Sequence, residues 1–249
     1  MKIALLLCLS LTVWAQNKPS FDPRISLATI IREDIFAGFL ANDLQRFERG
    51  EKNLEILLKE RPEARASLLA WKGSTFFYRA VRHYEAKRDA EFGMAYRDAL
   101  LTYDDAQTMT AEKPDVGVMA VIGGTYAILG DRLPPQYRKS GWGSAYRAFQ
   151  GLWKLQSEQL DKLPPHVRGE LLAGMALSAQ RTGHTAEVAP ALDRIIARMP
   201  ATPYAVAAQK WKATPEAAEK IKIACLGCHD AGRLDAVRSK LGNSQKKSD

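Results

Sequence analysis

A chain of 249 residues with 36 Lys and Arg against 28 Asp and Glu carries a formal net charge of +8, and 46% of its residues are hydrophobic. That is an ordinary globular composition, long enough for one elongated domain or two small ones. Three cysteines argue against a disulfide-rich scaffold; the modest positive surplus suits an acidic partner or an anionic surface, and without a concentrated basic motif it argues against nucleic acid.

The first element is MKIALLLCLSLTVWAQ, Met1 to Gln16: one cation at Lys2, an apolar run from Ile3 to about Trp14, and the small-residue pattern Val13-Trp14-Ala15. This pattern predicts a secretory signal peptide over residues 1–15, cleaved after Ala15, and hence a periplasmic or otherwise exported protein. The run is about half the length needed to span a bilayer, and no later stretch approaches it, so no integral membrane segment is expected. Leu7 precedes Cys8 where a lipidation signal wants a small residue, so Cys8 is expected to leave with the peptide. Residues 16–29, beginning QNKPSFDPR, are expected to form a linker.

From residue 30 to residue 212 the chain reads as helix throughout, which predicts an all-α fold. Segments such as SLLAWKGSTFFYRAVRHYEAK (67–87) and GELLAGMALSAQRTG (169–183) carry apolar residues at helical spacing, and alternating β-branched runs are missing. Phe76, Phe77, Ala80, Val81 and Tyr84 fit one apolar face; Leu171, Met175, Leu177 and Ala179 fit another. Trp71, Tyr96, Tyr103 and Trp142 are expected to fill gaps between helices rather than to stack on a ligand. Pro62, Pro114, Pro165 and Pro200 divide the chain at intervals of 52, 51 and 35 residues, each interval expected to hold a helical pair. Such pairs leave one apolar face bare until the next pair covers it. Thr214-Pro215 reads as the start of a last helix, with Thr214 as N-cap and Pro215 at the first position, over residues 213–240. Residues 241–249 are expected to be a disordered tail.

The segments LLAWKGSTFFYRA, HVRGELLAGMALSAQRTGHT and PATPYAVAAQKW, closing on CLGCH, together resemble a group of exported bacterial proteins with tetratricopeptide-repeat (TPR)-like helical hairpins. The resemblance spans about residues 30–230 and implies a TPR-like array ending in a short haem-binding tail; it implies no activity. A C-terminal cytochrome c′-like four-helix bundle over residues 142–228 is the alternative fold.

The chemistry is concentrated in IKIACLGCHDAGRL (221–234), where Cys225, Cys228 and His229 form C-x-x-C-H. Two thiols three residues apart can add to the two vinyl groups of a haem while the next imidazole takes the iron, which is the c-type attachment arrangement. Covalent attachment of this kind belongs outside the cytoplasm, as the leader requires. One haem c per chain is therefore expected, held by Cys225 and Cys228 with His229 as the iron ligand. A redox-active thiol pair and a zinc site are the competing readings: the first wants a βαβ frame, and the second wants four ligands where only Cys225, Cys228 and His229 are local. His83, His166, His184, Met175 and Met199 each have a plain structural reading, so none is assigned to the sixth iron position. No catalytic residue is assigned. The expected function is periplasmic electron transfer from a helical scaffold that docks a redox partner, with a TPR-like protein-protein adaptor carrying a structural haem or metal as the alternative.

Overall fold

The computed structural model describes residue 27, residues 30–216 and residue 223. The expected signal peptide, most of the linker, the helix over 213–240 beyond Glu216, the C-x-x-C-H motif and the tail lie outside the described residues.

The described chain is all-α, with no strand among the described residues. A π-helical turn, Ile30–Phe36, runs into the short α1, Ala37–Leu40. Asn42, at φ 56°, breaks the helix, and Asp43 opens α2 (Leu44–Glu60) by accepting from the Arg46 amide at 3.0 Å. A 3-10 turn at Pro62–Ala64 leads into α3 (Arg65–Glu85), and a turn through Lys87 at φ 58° reverses the chain into α4 (Asp89–Thr108). Asp115 caps α5 (Val116–Leu129) by accepting from the Val118 amide at 3.0 Å. Paired prolines then open α6 (Pro135–Gln156) and α7 (Pro165–Thr182), where the missing N–H of Pro135 and Pro165 costs no helical bond. Gly183, left-handed at φ 83°, ends α7 before α8 (Val188–Arg198). Thr202 caps α9 (Pro203–Ala213).

The expected proline punctuation corresponds to this order. The intervals opened by Pro62, Pro114 and Pro165 hold α3/α4, α5/α6 and α7/α8, and each pair packs along its length. Thr214 closes α9, its amide bonding to the carbonyls of Lys210 and Trp211, and Pro215 and Glu216 follow it in a helical turn; the rest of the expected last helix lies outside the described residues. The stacking of pairs is uneven. α5 runs close along α3 and meets α4 chiefly through side chains such as Tyr103 and Tyr126, whereas α7 lies against α6. α4 turns Phe92, Tyr96, Ala99, Tyr103 and Ala106 to the core, and away from it Met94 and Leu101, with Met109 just past the helix end, are each more than half exposed.

One contiguous apolar core runs from Ile30 to Ile223. Phe77, Ala80 and Val81 are fully buried in it, and Tyr96, Tyr103 and Trp142 are buried as expected. Helices approach one another where a glycine meets an aromatic ring: the Tyr103 ring lies on Gly73, Trp142 on Gly130, Tyr204 on Gly169 and Phe149 on Gly174, so close that a Cβ would overlap the ring. Burying a side chain of this size contributes about 1.5–3 kcal/mol. Ion pairs lace the surface between helices, among them Lys72 with Glu55 at 2.7 Å and the forked Arg79–Glu51 pair; such pairs add at most about 1 kcal/mol each.

The glycines separate into two kinds with opposite expected behaviour. At Gly93 and Gly124 an added Cβ meets nothing within 4 Å, so Gly93→Ala and Gly124→Ala should each raise stability by roughly 0.5–1 kcal/mol through helix propensity. Gly174→Ala must displace Phe149 and should lower stability by roughly 1–3 kcal/mol. Urea midpoints of the three variants check the signs; an unchanged Gly174→Ala protein would show that Phe149 does not set the spacing of α6 and α7.

Candidate functional site

Cys225, Cys228 and His229 lie outside the described residues, so the geometry that bears on them begins two positions earlier. Ile223 is 2% exposed and belongs to the continuous core. Two residues of extended chain reach at most about 7 Å. Cys225 follows Ile223 by two positions in the sequence. Among the described residues no group of three His, Cys, Asp or Glu side chains could hold a metal ion, and no described helix is long and apolar enough to cross a membrane.

The other histidines are held apart by different surroundings. His83, near the end of α3, has its pKa lowered, first by burial and then by the Arg88 charge, with Arg79 and Arg82 adding and Glu91 opposing. The His184 ring stands edge-on to Tyr146 with centroids 4.2 Å apart, while Glu187 accepts from Tyr146 Oη at 2.7 Å and from Gln150 Nε2 at 2.6 Å. His166, in the first turn of α7, has Nδ1 3.1 Å from Tyr204 Oη, and the same hydroxyl donates to Glu170 Oε1 at 2.5 Å. Met175 and Met199 are buried in the hydrophobic interior, as their plain reading expected.

A buried polar knot joins α3, α4 and α5. Ser74 Oγ lies 3.0 Å from Tyr103 Oη and 2.7 Å from Thr125 Oγ1; Ser74 also reaches the Ala70 carbonyl at 3.1 Å, and Thr125 the Val121 carbonyl at 2.8 Å. In the Ser74–Tyr103 and Ser74–Thr125 contacts either hydroxyl can donate, and the Ala70 and Val121 carbonyls accept from Ser74 and Thr125 when those protons turn to them. Periodicity could not have revealed Ser74 or Thr125, since 51 residues separate them in sequence. Phe77, Tyr96, Tyr126 and Tyr137 surround the knot with ring contacts from 4.9 to 5.5 Å. Burial pushes the phenols of Tyr103 and Tyr126 far above their ordinary value.

Among the described residues, cavities open between the helices. The first, about 350 Å³, lies among α4, α5 and α6 and is lined by Tyr103, Asp104, Met119, Tyr126 and Arg147. The second, about 330 Å³, is a groove between α2 and α3 bounded by the Arg79–Glu51 and Lys72–Glu55 pairs. The third, about 210 Å³, lies among α5, α6 and α7; its walls are mainly apolar and His166, Gln156 and Glu170 form its polar part. No protein-family model, no curated protein and no solved structure matches the chain.

The two buried phenols give the fold an alkaline limit. A phenol whose folded-state pKa is raised contributes stability that is whole below its unfolded value, about 10, and is lost as pH climbs toward the folded value. Wild type should therefore lose stability steeply above about pH 10. Tyr126→Phe should cost roughly 1 kcal/mol at pH 7 and flatten that decline. Urea midpoints at pH 7, 9, 10 and 11 measure both slopes, and equal slopes would show that burial of Tyr126 does not limit alkaline stability.

Proposed function

We propose that this chain is an exported helical scaffold carrying one covalently attached haem c, with Cys225 and Cys228 as thioether anchors and His229 as the iron ligand, and that it transfers single electrons to a periplasmic partner protein. The observation that carries the reading is that both cysteines remaining after leader cleavage fall in one C-x-x-C-H sequence. The donor set fits the group: two thiols spaced for two vinyls and an adjacent imidazole nitrogen for the iron. When bound, haem supplies a one-electron ferric/ferrous couple. The rest of the work falls to the chain. Ile223, buried two residues before Cys225, restrains the attachment segment to the body, and the rigid core lets the body present one surface to a partner.

The body itself we read as a TPR-like array. Three proline-bounded helical pairs in succession, sharing one core with α2 and α9, support this reading over a separate C-terminal bundle, because α6–α9 have no core of their own. The uneven seating of α5 on α3 makes it an irregular array. The adaptor reading draws on a different observation, the bare side of α4 with Met94, Leu101 and Met109 exposed. An exposed apolar row of this kind suits contact with another protein.

Expression with a haem-attachment system, followed by denaturing electrophoresis and a pyridine haemochrome assay, tests the assignment. Haem should survive denaturation and acid-acetone extraction at one equivalent per chain, and Cys225→Ala with Cys228→Ala should remove it. A colourless wild-type protein with two free thiols would overturn the haem reading in favour of thiol or zinc chemistry. A haem protein without a reversible couple would leave the adaptor.

A further inference from the structure

We infer that the cavity among α5, α6 and α7 is a binding site for a small neutral compound with an apolar body and one hydroxyl donor, of the size of a substituted single-ring phenol. None of its residues belongs to the C-x-x-C-H motif, so the inference stands apart from the haem reading.

Size comes first. A dry cavity of about 150 Å³ accepts benzene; about 210 Å³ leaves room for a ring with a substituent. The walls are Val116 and Ala120 from α5, Phe149 and Leu152 from α6, and Val167 and Leu171 from α7. Gly124 lines the same space, and a Cβ there meets nothing within 4 Å. A side chain at this position would start with its Cβ free of contact and take up part of the space.

Polarity fixes the chemical class. Tyr204 has one hydroxyl proton, and it goes to the Glu170 carboxylate. Toward His166 the phenol oxygen is then an acceptor, so Nδ1 is the protonated nitrogen. In that tautomer the ring has its lone pair on Nε2. This Glu170–Tyr204–His166 chain makes His166 a hydrogen-bond acceptor whose tautomer is set from behind, and the matching ligand group is a donor. A neutral hydroxyl fits. A carboxylate or phosphate is opposed by the Glu170 charge, which lines the same cavity. An ammonium would lose its water against Val116, Ala120 and Leu152. The two other cavities lack this combination: one is walled by ion pairs and the other contains both Asp104 and Arg147.

p-Cresol and toluene are the probes, because they share a ring and a methyl group and differ in the hydroxyl. Calorimetric titration of the full-length protein at neutral pH should show saturable one-to-one uptake of p-cresol, about tenfold tighter than toluene. His166→Ala should bring the two affinities within roughly threefold, and Gly124→Leu should weaken p-cresol at least about tenfold by filling the space. Wild type that binds neither probe saturably, or both equally, overturns the inference. So does a natively melting Gly124→Leu protein with unchanged affinity. If Gly124→Leu does not fold, the wild-type and His166→Ala comparison decides, since His166 is exposed and lies outside the core.

Discussion

Aromatic rings laid on bare backbone govern how these helices meet. Gly73 receives Tyr103, Gly130 receives Trp142, Gly169 receives Tyr204, and Phe149 is caught between Gly123 on α5 and Gly174 on α7. A ring seated in this way fixes both the distance and the register of two helices, because neither can slide without driving the ring into a side chain one turn away. Phe149 shows the consequence most clearly. Its ring touches Gly123 and Gly174 and also forms one wall of the 210 Å³ cavity. The wedge that joins α5 and α7 on one side holds them apart on the side of Ala120 and Gly124.

Polar groups reinforce the same junctions. The Ser74–Thr125–Tyr103 knot ties α3, α4 and α5 at the level where Tyr103 also covers Gly73. Further along, Trp142 Nε1 donates to Asp131 at 2.8 Å, Arg181 of α7 pairs with the other oxygen of Asp131 at 2.6 Å, and the guanidinium lies 5.6 Å from the Trp142 ring centre. The ring on Gly130 is therefore held from behind by α7. Neighbouring pairs are joined by both shape and hydrogen bonding, which makes the body a stiff platform instead of a string of independent hairpins.

What the sequence conveyed and what it withheld follow from range. Helix identity was legible in the 3.6-residue spacing of Phe77, Ala80 and Val81 and of the α7 leucines, and the division into pairs was legible in four prolines, because both are local signals. Thr202-Pro203 carries the same two residue types as Thr214-Pro215, and the packing of Ala205, Ala208 and Trp211 in the core holds the helix that it opens. The partners of the glycines were illegible. Gly73 and Tyr103 lie in different helices, as do Gly169 and Tyr204, and no local pattern pairs them. The cavity was illegible too, since it depends on where α5 and α7 fail to close, and His166 looked like a plain helix-opening residue until Tyr204 and Glu170 were found beside it.

The readings of function occupy separate parts of this platform, and that separation has a physical basis. Ile223 is a core residue, and Cys225 follows it by two positions in the sequence. The exposed row on α4 is of the opposite kind: Phe92, Tyr96, Ala99, Tyr103 and Ala106 turn to the core, and Met94 and Leu101 lie on the other side of the helix. The first is an anchoring point in the core and the second an apolar row facing away from it. An electron carrier needs the first to hold its redox group and the second, or one like it, to hold a partner. The apolar row on α4 lies on the side turned away from the core, where no described helix of the same array covers it, and it is there that a partner's apolar surface could seat.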